Sequence, residues 1–328
     1  MIWMTWRQFR AQAVVAAAAL AVAAVYLVIL GAQIRHTYTT DLAHCRGSQE
    51  GCTSVMAQFT GEYKLQLELL SALLIAAPGV IGIFWGAPLV TREFEAGTHR
   101  LVWNQSVTRR RWLAAKLLLL GLASMAAAGL FSLLLTWAAA PADRVDADRF
   151  HALLFGARNI APVAYAAFGF VLGTSAGLVI RRTVTAMAVT FLVFAVVQVV
   201  VPTMVRPHLM TPVTGTEQMT VSDFEALSFL GQDANISGLQ IPDAWVVSTS
   251  DLLASDGQRV DLGQYNACLS GSIPQTSACL AKLNLHVQVA YQPPDRYWDY
   301  QWLESGIFLG LGVLLAGFAL WRIQGRLA

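Results

Sequence analysis

Charge is what this chain has least of. Only 13% of its 328 residues are Asp, Glu, Lys or Arg, while 56% are hydrophobic, and the mean hydropathy is +0.53. A soluble protein of average composition carries about 25% charged residues. The deficit excludes a disordered chain and argues against a soluble globular enzyme. Nucleotide chemistry is missing as well: no G-x-x-x-x-G-K-[ST] phosphate loop occurs. There is no H-E-x-x-H metal motif and no G-x-S-x-G nucleophile elbow, so no catalytic residues are expected. The four cysteines and six histidines show no C-x2-C or H-x3-H spacing, and no metal site is expected.

What is present is a set of uncharged apolar runs. A membrane span needs about 20 apolar residues. Six runs qualify: Ala11–Ile34, Leu69–Thr91, Leu117–Ala142, Asn159–Ile180, Thr183–Val205 and the short Ser305–Trp321. The last is flanked by Tyr297, Trp298, Tyr300, Trp302 and Trp321, rings that favour the headgroup level. The first exceeds the 7–15 residue core of a signal peptide and reads as a retained span. The expected fold class is an all-α polytopic membrane protein with six transmembrane helices.

Six spans put both termini on one side. Placing them in the cytoplasm gathers Arg7, Arg10, Arg92, Arg100, Arg109, Arg110, Arg111, Lys116, Arg181, Arg182, Arg322 and Arg326 there, with only Glu93 and Glu95 as acids. The short cytoplasmic segments then net +10 and the rest of the chain −8, which together make the stated +2. Four short segments obey the positive-inside rule. Such basic runs are topology signals beside anionic lipid, and no nucleic-acid partner is expected. A multi-pass protein of the plasma membrane follows.

Three segments fall outside: 35–65, 143–158 and 206–300. The division expected is 1–205 for the first five spans, 206–300 for an extracytoplasmic domain, and 301–328 for the sixth span and its tail. Within the domain, Leu285–Val289 alternates like a strand and Asp223–Leu230 suits a short helix. All four cysteines lie outside, where oxidation favours disulfides. Three pairings are possible; the local pairs Cys45–Cys52 and Cys268–Cys279 need the least chain rearrangement. The spans are nearly free of ionisable groups, with Glu68, Lys116 and Glu304 at span ends within reach of the interface. A coupled carrier needs intramembrane acids or broken helices. The chain therefore reads as a conduit without its own energy source.

The segment between the second and third spans is the most informative. Thr91 can cap a short helix whose N-terminus Glu93 and Glu95 would favour. Gly97 suits the position just past its end. Phe94 would face inward, on a short amphipathic helix along the membrane surface. Here the sequence resembles the ABC-2 family of ABC-transporter permeases. The run Glu93-Phe94-Glu95-Ala96-Gly97-Thr98 is similar to a Glu-Arg-Glu-x-Gly-Thr-like motif after the second span. Phe94 stands where the family usually has Arg. Val107-Thr108-Arg109 and Lys116 follow as in the family, and Phe84–Val90 looks like permeases common in actinobacteria.

The resemblance implies a coupling helix at about 91–99 that docks on a separate ATPase subunit. Arg92, Glu93, Phe94, Glu95, Gly97 and Thr98 would contact or shape that interface. ATP and Mg would bind the partner ATPase, with no cofactor in this chain. Two ATPase copies and a second permease, in a homodimer, complete the implied exporter. Its path would lie between permeases along spans two and five, with Phe84, Met187, Phe191, Phe194 and Gln198 as candidate lining residues. An apolar lining suits an amphipathic or hydrophobic substrate moving outward. At the N-terminus Ile2, Trp6 and Phe9 share a face of an interfacial helix. Gly169, Gly173 and Gly177, Gly82 and Gly86, and Gly306 and Gly310 repeat at G-x-x-x-G spacing. They suit packing within one subunit, or else a dimer seam or substrate path. The alternative function is a non-transport receptor or scaffold whose extracytoplasmic domain binds a ligand.

Overall fold

A computed structural model of the chain describes residues 2–42, 49–97, 108–146 and 149–324. Six helices in it are long and apolar enough to cross a membrane: Ala17–Leu42, Ser54–Glu95, Arg109–Ala139, Ala161–Ile180, Thr183–His208 and Pro294–Arg322. Each contains or overlaps one of the six uncharged runs. The chain divides into two compact units. One comprises Met1–Asp146, Ala152–Arg206 and Asp299–Ala328; the other comprises Ala147–His151 and Pro207–Trp298.

In the first unit, α1 spans Ile2–Thr37, α2 Gln49–Ile81, α3 Pro88–Glu95, α4 Arg109–Ala139, α5 Ala161–Ile180, and α6 Thr183–Val200. Helix α2 begins well before the second uncharged run, in a region expected to be a loop. The reason is a stripe the charge criterion overlooks. Phe59, Tyr63, Leu67 and Leu74 are buried against Leu27, Leu30 and Ile34 of α1 and Leu135 of α4. Apolar residues at this spacing hold an amphipathic helix although charged residues lie between them.

A π-turn over Gly82–Gly86 joins α2 to α3, with the Ala87 N–H donating to Gly82 O at 2.9 Å. Pro88 follows, and its missing N–H is accommodated where the helical ladder is already displaced. Pro202 sits in a second π-turn, Val201–Val205, after α6. Helices α2 and α5 meet backbone to backbone around the Gly82–Gly86 π-turn. A Cβ on Gly173 would stand 2.1 Å from Gly82 O, one on Gly82 2.3 Å from Gly169 O, and one on Gly177 2.5 Å from Ala87 O. These glycines therefore pack within the chain. Gly306 and Gly310 do not: a Cβ at either meets nothing within 4 Å.

In the second unit the strands are β1 Val213–Gln218, β2 Phe229–Leu230, β3 Ile236–Ser237, β4 Trp245–Thr249 and β5 His286–Gln292. The all-α description thus covers the spans and not this insertion. Strand β5 is central, antiparallel to β1 and β4, while β2 pairs with β3. Its alternation buries Val287 and Val289, as the period of two requires. Three helices, α7 Val221–Ala226, α8 Leu262–Cys268 and α9 Ile273–Ala281, contribute Phe224, Tyr265 and Leu280 to the same core. Helix α7 is shorter than the 223–230 expected. A reciprocal capping box between Thr220 and Asp223 sets its start, and Phe229–Leu230 leave for the β2–β3 pair. The Cys268–Cys279 disulfide joins α8 to α9. Cys45 lies outside the described residues, and with it the Cys45–Cys52 pairing. Tyr265 is fully buried and donates to Gly231 O at 2.8 Å; burial pushes its phenol up to about 12. Helix α10, Tyr297–Arg322, completes the chain.

Candidate functional site: the end of the second span

The segment singled out in the sequence lies on α3 and differs from expectation at its start. Thr91 is not an N-cap. It is fully buried inside the helix, bonding Ala87 O and standing 2.8 Å from the Thr183 hydroxyl. Glu93 and Glu95 accordingly sit in the C-terminal half of α3, where a helix end does not favour acids. Other helices compensate them. Lys116 of α4 donates to Glu93 Oε1 at 2.5 Å, with both side chains largely buried. The Lys116 ammonium also lies 4.2 Å from the centre of the Trp112 ring, a cation–π contact. Glu95 caps α6: the Thr183 N–H and hydroxyl each donate to one of its carboxylate oxygens at 2.8 Å. This supplies from another helix the acceptor that Arg182, at the N-cap, does not provide.

The other residues complete a junction of four helices. Phe94 is half-buried against Leu89, Leu113, Leu117 and Phe170, and the Arg181 guanidinium is 5.7 Å from its ring centre. Arg181 itself has φ +60° and ends α5 in a left-handed turn. Gly97, with φ +68°, terminates α3 as expected. Arg92 is exposed. Thr98 lies outside the described residues, as do the side chains of Ile2, Trp6 and Phe9.

The five candidate path residues differ in exposure. Phe84 and Phe191 are 56% and 62% exposed. Phe194 is buried, stacked on Phe168 at 6.2 Å and pressed against Gly79 of α2. Met187 and Gln198 are half-buried.

Sequence reasoning missed a second ionic cluster. Glu304 of α10 was expected to reach the interface, and it is instead fully buried. Arg206 clasps it with two bonds, Nε to Oε2 at 2.6 Å and an Nη to Oε1 at 3.0 Å. The Tyr165 hydroxyl donates to the same carboxylate, and the Arg206 guanidinium stacks 4.2 Å over Phe155. One turn away, Gln301 accepts from the Ala161 N–H at 3.2 Å and donates to Phe155 O at 3.0 Å. The available signal was positional: Arg206 and Glu304 bound the fifth and sixth uncharged runs.

Six apolar helices joined by buried polar contacts at their ends define a multi-pass membrane protein. The family model for ABC-2 membrane transporter related proteins matches residues 17–206, more than half of the chain, and the chain belongs to that family. An ABC-2 permease is a membrane subunit of a transporter and not itself catalytic. Searches of curated proteins and of solved structures return no match.

Proposed function

We propose that this chain is the membrane subunit of an ATP-driven exporter of the plasma membrane, energised by a separate ABC ATPase that docks at the end of α3. Both termini and α3 lie in the cytoplasm, the insertion 207–298 outside, and two permeases and two ATPases form the working complex. ATP and Mg belong to the ATPase. The substrate is amphipathic or hydrophobic. One observation carries the reading: α3 is tied to α4 through Glu93–Lys116 and to α6 through Glu95–Thr183. A push on α3 thereby reaches the first turns of two spans at once. Such a rigid junction is what converts closure of an ATPase dimer into movement of helices. Glu93 and Glu95 are turned onto the chain's own helices, so they shape the docking surface, while Arg92, Ala96 and Gly97 face outward.

The test is co-expression of the full chain with the P-loop ATPase encoded beside it, followed by purification in detergent and assay of ATP hydrolysis. The expected result is a stable complex whose recovery and activity fall in the Glu93→Ala, Glu95→Ala double variant. A chain that purifies alone, with the double variant indistinguishable from it, overturns the reading and turns attention to the insertion as a ligand-binding module.

A further inference from the structure

Between α1, α2 and α4 runs a groove of about 720 Å³. Its floor is closed by Leu27, Leu74 and Leu135, which are buried, and its rim carries Phe84, which is exposed. The lining is apolar along its whole length except at one end, where Arg92 enters it beside Trp85. Arg92 makes no salt bridge among the described residues, although its charge acts on the Glu95 carboxylate at the same end, while Glu93 is paired with Lys116. The same end of the bundle carries Lys116, Arg181 and Arg182. An elongated apolar slot with a guanidinium at its mouth is complementary to a molecule with a long hydrocarbon tail and an anionic head.

From this complementarity we infer that the groove is a binding site for one anionic phospholipid of the surrounding bilayer. Its acyl chain lies along Leu27, Leu74 and Leu135, and its phosphate sits on the Arg92 guanidinium. An Arg at the membrane surface attracts an anionic headgroup over a zwitterionic one, and its fork of donors suits phosphate oxygens. The tail contributes by burying methylenes that the neighbouring helices leave uncovered. The site shares Arg92 with the proposed docking surface, so it is tested on the chain without an ATPase, where loss of lipid selectivity and loss of ATPase docking are read separately.

The test uses the full chain in detergent micelles and follows tryptophan fluorescence during titration with phosphatidylglycerol brominated on its acyl chain. Brominated phosphatidylcholine is the comparison. The expected result is a saturable quenching component with a half-point about five-fold lower for phosphatidylglycerol, from roughly 1 kcal/mol of attraction per basic residue. Arg92→Gln brings the two lipids together, and Trp85→Phe removes most of the saturable component. Ala76→Phe, which fills the groove from its rim, raises the half-point for both. Equal half-points for the two lipids on the unaltered chain overturn the inference. So does a saturable component that Trp85→Phe and Ala76→Phe leave unchanged, which would place the lipid elsewhere on the bundle.

Discussion

Glu95 and Thr183 are far apart in sequence, yet the carboxylate of one closes the first turn of the helix begun by the other, through two bonds of 2.8 Å. A helix start without its own capping side chain depends on such an acceptor. Glu95→Ala is expected to lower the thermal midpoint of the purified chain. Glu95→Gln, which keeps one acceptor oxygen, should lose less. Thr183→Ala in the Glu95→Ala background should lower the midpoint somewhat further, because the Thr183 hydroxyl also bonds the buried Thr91 hydroxyl. A dye-based thermal melt in detergent reads all four.

Arg206 and Glu304 form a buried pair, and removing one partner strands the other. Arg206→Leu or Glu304→Leu alone is expected to cost about 3–5 kcal/mol. The double variant Arg206→Leu, Glu304→Leu should recover part of that loss, since no charge is then left buried. Yield and monodispersity by size-exclusion chromatography, with thermal midpoints, check the order.

The glycines divide into two groups by what surrounds them. Gly173→Ala drives a methyl group into Gly82 O, and overpacking of this kind costs about 1–3 kcal/mol. Gly306→Ala meets open space and should leave the melting profile unchanged.

The Cys268–Cys279 bond closes a short loop, with a separation of 11 residues between the two cysteines. Loss of such a crosslink costs about 3 kcal/mol in the chain-entropy model. Replacing both cysteines by serine should destabilise the insertion, and thiol alkylation with intact-mass measurement, before and after reduction, should report the bond directly.

Tyr265 should make the insertion sensitive to alkali. A free phenol ionises near pH 10, whereas the buried one is pushed up to about 12. Below pH 10 the folded and unfolded chains both keep the proton. Between the two values the unfolded chain releases it and the folded chain holds it, so stability falls as pH rises. Chemical denaturation at pH 9 and pH 11 should show the drop, and Tyr265→Phe should reduce it.

Six spans were legible because a membrane imposes one simple rule, the absence of charge over a fixed length. That rule reads only what faces lipid or core uniformly. It passed over residues 49–68, where Phe59, Tyr63 and Leu67 form one buried stripe among polar neighbours. It also treated Lys116 and Glu304 as span-end residues pointing to water, because their partners Glu93 and Arg206 lie on other helices. Long-range pairing leaves no local pattern. The α3 segment was found by its residue types and its terminating glycine, while the direction of its two acids was not, since that depends on which helices pack beside it. The glycine spacing was informative for the α2–α5 contact and silent on which of the three glycine sets would be used.

The Arg206–Glu304 pair has an evolutionary consequence. It grips the chain where it leaves the membrane bundle and again where it returns, just outside the bounds of the inserted unit. The entropy of closing a loop rises only with the logarithm of its length, about 0.6 kcal/mol per doubling. What lies between the two gripped points is therefore almost free to change in size and content without loosening the bundle. The insertion behaves as a cassette, open to rewriting while the helical bundle is left alone.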